Sequence, residues 1–356
     1  MKLPHERFDY SPIVKRRPWK LPKGARIAVW TIVNVEEWSI EKAMPRQYLT
    51  TPQGVTVVPD VPNWAWHEYG MRVGFWRLLE ALGKRRLPAT TAINAHVCEA
   101  YPAVAGAMLE AGWEFMGHGV VQGAMHLLPD QRATIRDSIR LIEKFTGKRP
   151  KGWLGPGLTE TWETLDLLAE EGIEYVSDWI NDDQPYDIRT SSRSLVSVPY
   201  SIELNDIPMM VIQHHESSYW LQRARDQFDR LYAEGATNPR VMALAVHPYI
   251  SGVPHRIKYF EAVYDYMKTK KGVWFTTGEE IYEWYCETRG ASERRARRPR
   301  GERVTSPSAA CTRSTRSRSS VGGRTSSWGV CGSAKAATSP ISLCGRGTSR
   351  RSPRRW

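Results

Sequence analysis

Between residues 25 and 288 the chain repeats one pattern. A short apolar run is followed by an amphipathic stretch of ten or more residues, and the run then returns. Apolar runs of four to eight residues bounded by turn formers read as buried strands, and the stretches between them carry helical periodicity. Strands are expected at 26–33, 89–94, 114–117, 152–155, 174–177, 196–199, 209–213, 241–246 and 272–275. Helices are expected at 68–82, 101–111, 129–145, 161–170, 220–233, 256–270 and 278–285. In helix 68–82, Val73, Trp76, Leu79 and Leu82 fall on one stripe. Strand and helix in alternation imply parallel β-α units. About eight units over this length predict an α/β fold with a barrel-like sheet rather than an open dinucleotide-binding sheet. No GxGxxG follows the first run and no GxxxxGK[ST] occurs, so nucleotide binding has no support.

Charge divides the chain sharply. The formal net charge is +12. Residues 289–356 hold 17 Lys and Arg against 2 Asp and Glu, whereas residues 1–288 hold 33 against 36. The basic segment is nearly all Arg, Ser, Gly, Ala, Thr and Pro and has no hydrophobic period, so it is expected to be disordered. Its composition reads most simply as a GC-rich gene translated in a shifted frame, and nucleic acid is not an expected partner. Three domains follow: an N-terminal extension (1–24) packed on the barrel, the barrel (25–288) and the tail (289–356). Of five cysteines, only Cys98 and Cys286 lie in the body, without paired spacing, which fits a reducing compartment. The N-terminus has no apolar signal region and no run reaches membrane-span length. A cytoplasmic protein with no membrane partner is expected.

Where the apolar runs end, ionisable and amide side chains gather. The first run leads into Asn34, Glu36 and Glu37, the second into Asn94 and His96, and the third into His118. Trp153 and Pro156 close the fourth, and Asp178, Asp182 and Asp183 follow the fifth. His214, His215 and Glu216 follow 209–213, and His247 follows 241–246. In a barrel of parallel strands the C-terminal strand ends share one mouth, where active sites lie. Several His, Glu and Asp on one rim point to a site that moves protons or binds a metal.

Taken in order, NVEEW (34–38), HEYGMRVGFWRLLEAL (67–82), AMLEAGWEFMGHG (107–119), TGKRPKGWLGPG (146–157), LLAEEGIEYVSDWINDDQPY (167–186), VPYSIELND (198–206) and LAVHPYISGVPHR (244–256) resemble the polysaccharide deacetylase (NodB-homology) superfamily. The nearer likeness is to its allantoinase-like and cyclic-imide-hydrolase-like branch. The resemblance implies a distorted (β/α) barrel of the NodB-homology type with one rim-side active site, and hydrolysis of a non-peptide carbon–nitrogen bond in a small cyclic or linear amide. The superfamily's Asp-Asp motif is matched by Asn34-Val35-Glu36-Glu37, so Glu36 or Glu37 is the expected catalytic carboxylate. Its His-x-x-x-His metal motif is matched by His118 alone: Gln122 stands four residues on and His126 eight. A divalent metal, zinc first, would then rest on Glu36, His118 and His126 or Gln122. Asp178 and His247 complete the expected catalytic set, with His247 as the acid for the leaving nitrogen. His67, Glu68, Arg72, Trp153, Pro156, Trp179, His214 and His215 are the expected substrate contacts. A homo-oligomer is expected. The alternatives are an N-acetyl sugar deacetylase and a non-catalytic binding barrel.

Overall fold

The computed structural model describes residues 3–50 and 52–296. Nine strands form one sheet: β1 (Ile27–Val35), β2 (Thr90–Ile93), β3 (Glu114–Gly117), β4 (Gly152–Trp153), β5 (Tyr175–Val176), β6 (Tyr186–Ile188), β7 (Leu195–Ser197), β8 (Arg240–Val246) and β9 (Val273–Thr276). Their order is β6-β7-β5-β4-β3-β2-β1-β8, and β9 joins β1. All pairings are parallel except β6 with β7. The long strand β1 is shared along its length, β9 pairing with 27–30 and β2 with 32–35. It is buried at every position, as expected of a strand covered on both faces.

The sheet is a curled half-barrel covered by helices. Its incompleteness has a local cause. The expected strand at 209–213 is instead a π-helical turn, Ile207–Ile212, with Pro208 at its start. A short apolar run of this kind cannot be told from a buried helical segment by periodicity. A proline cannot donate to a sheet ladder but is tolerated in a helix's first turn. Among the described residues the outer edge of β8 therefore carries no further strand but an isolated bridge, Asn205 to Ala245, and a backbone bond from the Val241 amide to the Asp183 carbonyl. The hairpin β6–β7 was not anticipated. Its partner at 196–199 appears one residue early.

The expected helix 68–82 begins earlier, as Val61–Tyr69, capped by Asp60, whose carboxylate accepts from the Asn63 amide. It continues through a π-helical turn, Gly70–Gly74, into Phe75–Arg85. Two glycines let this turn lie directly on the helix Pro248–Ser251, which follows β8. A Cβ on Gly70 would sit 2.7 Å from the Tyr249 amide nitrogen, and one on Gly74 would sit 2.0 Å from the Pro248 carbonyl oxygen. Gly74→Ala is thus expected to cost about 3 kcal/mol, the upper range for overpacking. Urea unfolding checks this, and a midpoint equal to the parent's would refute the tight contact.

Residues 3–24 form short turns held on the barrel by ion pairs. Arg7 makes a two-pronged contact with Asp166 at 2.8 and 2.7 Å, and Arg16 reaches Asp182 at 2.7 Å. The tail expectation needs correction at its start, because the last helix, Gly278–Ala296, continues through 289–296. The remainder of that expectation, 297–356, lies outside the described residues. Among the described residues no helix is long and apolar enough to cross a membrane.

Candidate active site

The C-terminal ends of β1, β3, β4 and β8 bring Glu36, His118, Leu154 and His247 around one cavity of about 220 Å³. Glu36 is its centre. The side chain is only 4% exposed, and one oxygen, Oε1, lies 3.4 Å from His247 Nε2 and 3.7 Å from His118 Nε2. The same oxygen accepts from the Gln122 amide at 2.9 Å, and Oε2 accepts from the Trp38 indole at 3.1 Å. The carboxylate is therefore fixed in plane and orientation by donors on two loops.

Each histidine is oriented from behind. His118 Nδ1 donates to the Leu154 carbonyl at 2.6 Å, so Nε2 faces Glu36. His247 Nδ1 meets Asp206 Oδ1 at 2.7 Å, while Asp206 Oδ2 accepts from the His247 amide (2.8 Å) and the Ser251 hydroxyl (2.6 Å). Asp206 is wholly buried, immediately before the π-helical turn that replaced the expected strand. Asn94, after β2, ties the loops together. Its amide nitrogen donates to the His118 carbonyl and, at 3.0 Å, to Gln122, and its oxygen accepts from the Glu37 amide at 2.8 Å.

The electrostatics follow. Burial would push the Glu36 carboxyl up, but His247 and His118 beside it prevail and hold it well below the usual carboxylate range. Burial would push His247 down, yet Asp206 and Glu36 raise it to about 9. At neutral pH the site therefore holds an imidazolium between two carboxylates. His67, close by, goes the other way: burial lowers it to about 4, so it is neutral.

The expected residues sort as follows. Glu36, His118 and His247 converge, and Pro156 is buried in the turn that borders them. Glu37 turns aside and pairs with His96 at 2.8 Å. Asp178 does not line this cavity. It accepts from the Gly155 amide at 2.7 Å and, with Glu160 and Trp179, lines a neighbouring cavity of about 330 Å³. Burial and then the adjacent Glu160 push the Asp178 carboxyl well above its ordinary value, and burial raises Glu160 as well. Through the Gly155 amide, Asp178 braces that turn. Trp153 is wholly buried, packed on Gly117, and Trp179 donates to Glu160 at 3.2 Å. Neither lines the Glu36 cavity. His67 is buried near Glu36, whereas Glu68 accepts from the Tyr101 hydroxyl at 2.7 Å and Arg72 is exposed. His214 is exposed, with φ +55°, and His215 packs on Tyr219 with ring centroids 4.9 Å apart.

The expected metal set does not assemble. His126 is exposed on the turn Met125–Leu127 and lines no part of the cavity. Gln122 has its amide nitrogen on Glu36 and its oxygen on Asn94, so neither end is free to ligate. Among the described residues no group of three or more His, Cys, Asp or Glu is placed to hold a metal ion. Glu36 and His118 alone are one donor short of the three protein ligands usual for catalytic zinc. The expected ligand set of Glu36, His118 and His126 or Gln122 does not fit a resident metal in this arrangement.

Two residues of the site escaped the sequence reading. Asp206 lay inside a quoted segment but had no assigned role; its one signal was an Asn-Asp pair just before Ile-Pro. Arg46 lines the cavity from the loop after β1, with no motif to mark it.

Comparison with known proteins gives a consistent result. The family model described as polysaccharide deacetylase matches residues 66–176. A crystal structure described as a probable polysaccharide deacetylase from Pseudomonas aeruginosa PAO1 is 30% identical, covers 75% of this chain and 93% of its own, and superposes with a TM-score of 0.69. The structure of Puue allantoinase is 27% identical, with coverage of 79% and 98% and a TM-score of 0.70. A protein of Schizosaccharomyces pombe that carries the polysaccharide deacetylase name is 29% identical over 296 residues, 75% of this chain and 92% of the relative.

Proposed function

This chain belongs to the polysaccharide deacetylase family, an amide-bond hydrolase by that membership, and we propose that it opens a small cyclic or linear amide of the ureide or imide kind. The observation that carries the reading is the ordered row Asp206–His247–Glu36 at a small cavity. A cavity of about 220 Å³ has room for a compact ring. The likeness to an allantoinase over nearly the whole of that protein supports the same choice.

Amides resist water because nitrogen leaves poorly and the carbonyl is resonance-stabilised. In this site Glu36 takes a proton from water as the water oxygen attacks the carbonyl carbon. The developing oxyanion forms beside the His247 cation. A histidine with a pKa of about 9 keeps its proton at neutral pH until the amide nitrogen becomes basic in the tetrahedral adduct. His247 Nε2 then protonates that nitrogen, the carbon–nitrogen bond breaks, and the proton on Glu36 restores the imidazolium. Asp206 fixes the His247 tautomer throughout. General acid and base steps of this kind contribute about 10²–10⁴-fold each.

The test is a turnover assay of purified protein on cyclic ureides and imides beside N-acetylated sugar oligomers. Ring opening of the first group is expected. Deacetylation of the sugars with no ring opening would replace this reading with the polysaccharide one.

A further inference from the structure

Opening an amide needs a third service besides a base and an acid. The carbonyl oxygen becomes an anion in the tetrahedral adduct, and a fixed donor aimed at it lowers the barrier. His247 cannot give this service in full, because Asp206 holds its Nδ1 side and its Nε2 proton goes to the leaving nitrogen. His118 donates to the Leu154 carbonyl, and the Gln122 amide and Trp38 indole donate to Glu36.

Tyr200 is placed to supply it. It lies just after β7, is 6% exposed, and lines the same cavity as Glu36, His118 and His247. Its backbone is anchored one residue earlier, where the Pro199 carbonyl accepts from the Trp30 indole at 3.0 Å. The direction of its hydroxyl proton follows from its partner. Asn205 Oδ1 accepts from the Ile207 amide at 3.0 Å, and a backbone amide can only donate. The other end of that side chain, Nδ2, therefore meets Tyr200 at 3.2 Å as a donor, and the Tyr200 oxygen accepts. The phenol proton has to point elsewhere, and among the described residues none accepts it. Burial pushes the phenol above its ordinary value, Asn34 opposes this, and the Asp206 and Glu36 charges add to it, so the proton stays on the oxygen at working pH.

From this geometry we infer that the Tyr200 hydroxyl donates to the carbonyl oxygen of the bond being cut, and that Asn205 holds it in that direction. As water attacks and Glu36 takes its proton, the carbonyl π pair moves onto oxygen and the Tyr200 hydrogen bond to that oxygen strengthens. When the carbonyl reforms, the carbon–nitrogen pair leaves on nitrogen and takes the His247 Nε2 proton. Tyr200 itself gains and loses no proton. Asn205 and Asp206 are neighbours in the chain beside β8, so one short segment aims both the donor and the acid. The inference deepens the hydrolase reading proposed above and rests on it.

Tyr200→Phe removes a single oxygen. With hydantoin as substrate, kcat is expected to fall about 10²–10³-fold, the worth of one such donor, with KM changed much less. Both limbs of the pH profile should stay in place, because Glu36 and His247 owe their charges to each other, His118 and Asp206. Calorimetry then separates donation from packing. Its two ligands are hydantoin and a five-membered cyclic phosphonamidate, whose tetrahedral anionic oxygen imitates the adduct. The parent should bind the phosphonamidate about 10²-fold or more tightly than hydantoin. Tyr200→Phe should bind hydantoin as the parent does and lose most of that excess. Asn205→Ala should lower the excess in the parent but not further in Tyr200→Phe; a further loss there would remove Asn205 from the aim. An excess kept by Tyr200→Phe, or an equal loss of both ligands, would overturn the donor. Turnover by Tyr200→Phe within about threefold of an active parent would overturn it too and leave the hydrolase reading standing. A Tyr200-dependent excess in a parent that opens no ring would keep the donor and sink the hydrolase reading. A parent with neither turnover nor excess would lose both.

Discussion

Glu36→Gln is expected to lower kcat by about 10²–10⁴-fold, the usual worth of a general base. The change preserves shape, and Trp38 and Gln122 remain beside the new amide. What disappears is the charge. Without it the carboxylate that takes the water proton is gone, and His247 loses one of the two carboxylates that raise it. The alkaline limb of the pH profile should therefore move down as the rate falls. Steady-state kinetics across pH measures both effects. Glu37→Gln is the control, since Glu37 pairs with His96 outside the cavity and should leave kcat near the parent's. A Glu36→Gln protein within tenfold of the parent would remove Glu36 from the mechanism.

Asp206→Asn should weaken both folding and activity. Asp206 is wholly buried and engages the His247 ring, the His247 amide and the Ser251 hydroxyl. Removing one member of a buried ion pair typically costs about 3–5 kcal/mol. The sign of its pH dependence follows from His247, whose ordinary value of 6.5 rises to about 9 in the fold. The stabilisation from that shift is complete below 6.5 and disappears as pH climbs through 9. Parent and variant should accordingly differ most in urea near pH 6 and converge above pH 9. Loss of activity should set in at lower pH in the variant, because His247 gives up its proton sooner. An unfolding gap that stays constant with pH would show that Asp206 does not hold the His247 charge.

Much of this was legible in the chain. The β-α alternation placed most of the strands, because a strand buried on both faces must be a nearly unbroken apolar run, as β1 and β8 are. The rule that parallel strands end at one mouth then put Glu36, His118 and His247 together without any knowledge of distances. The choice between Glu36 and Glu37 was not legible. Successive residues leave a strand end in different directions, and only the packed loops show which points inward. The same limit applies to Asp178, which follows β5 as expected yet faces a neighbouring cavity. Segment 209–213 failed for another reason: apolar runs of five residues suit a strand and a buried helical turn equally.

Sequence alone therefore determined the class of fold, the rim on which the chemistry lies and two of its histidines. These depend on local periodicity and on the order of units along the chain. Tertiary structure decided the charge state of the site, the role of Asp206 and the presence of Arg46. Asp206 stands 41 residues from His247 in the chain, and their contact is made where the segment before the helical turn pairs with β8. A proton's affinity for a side chain depends on what packs around it in space, and spacing along the polypeptide does not encode that.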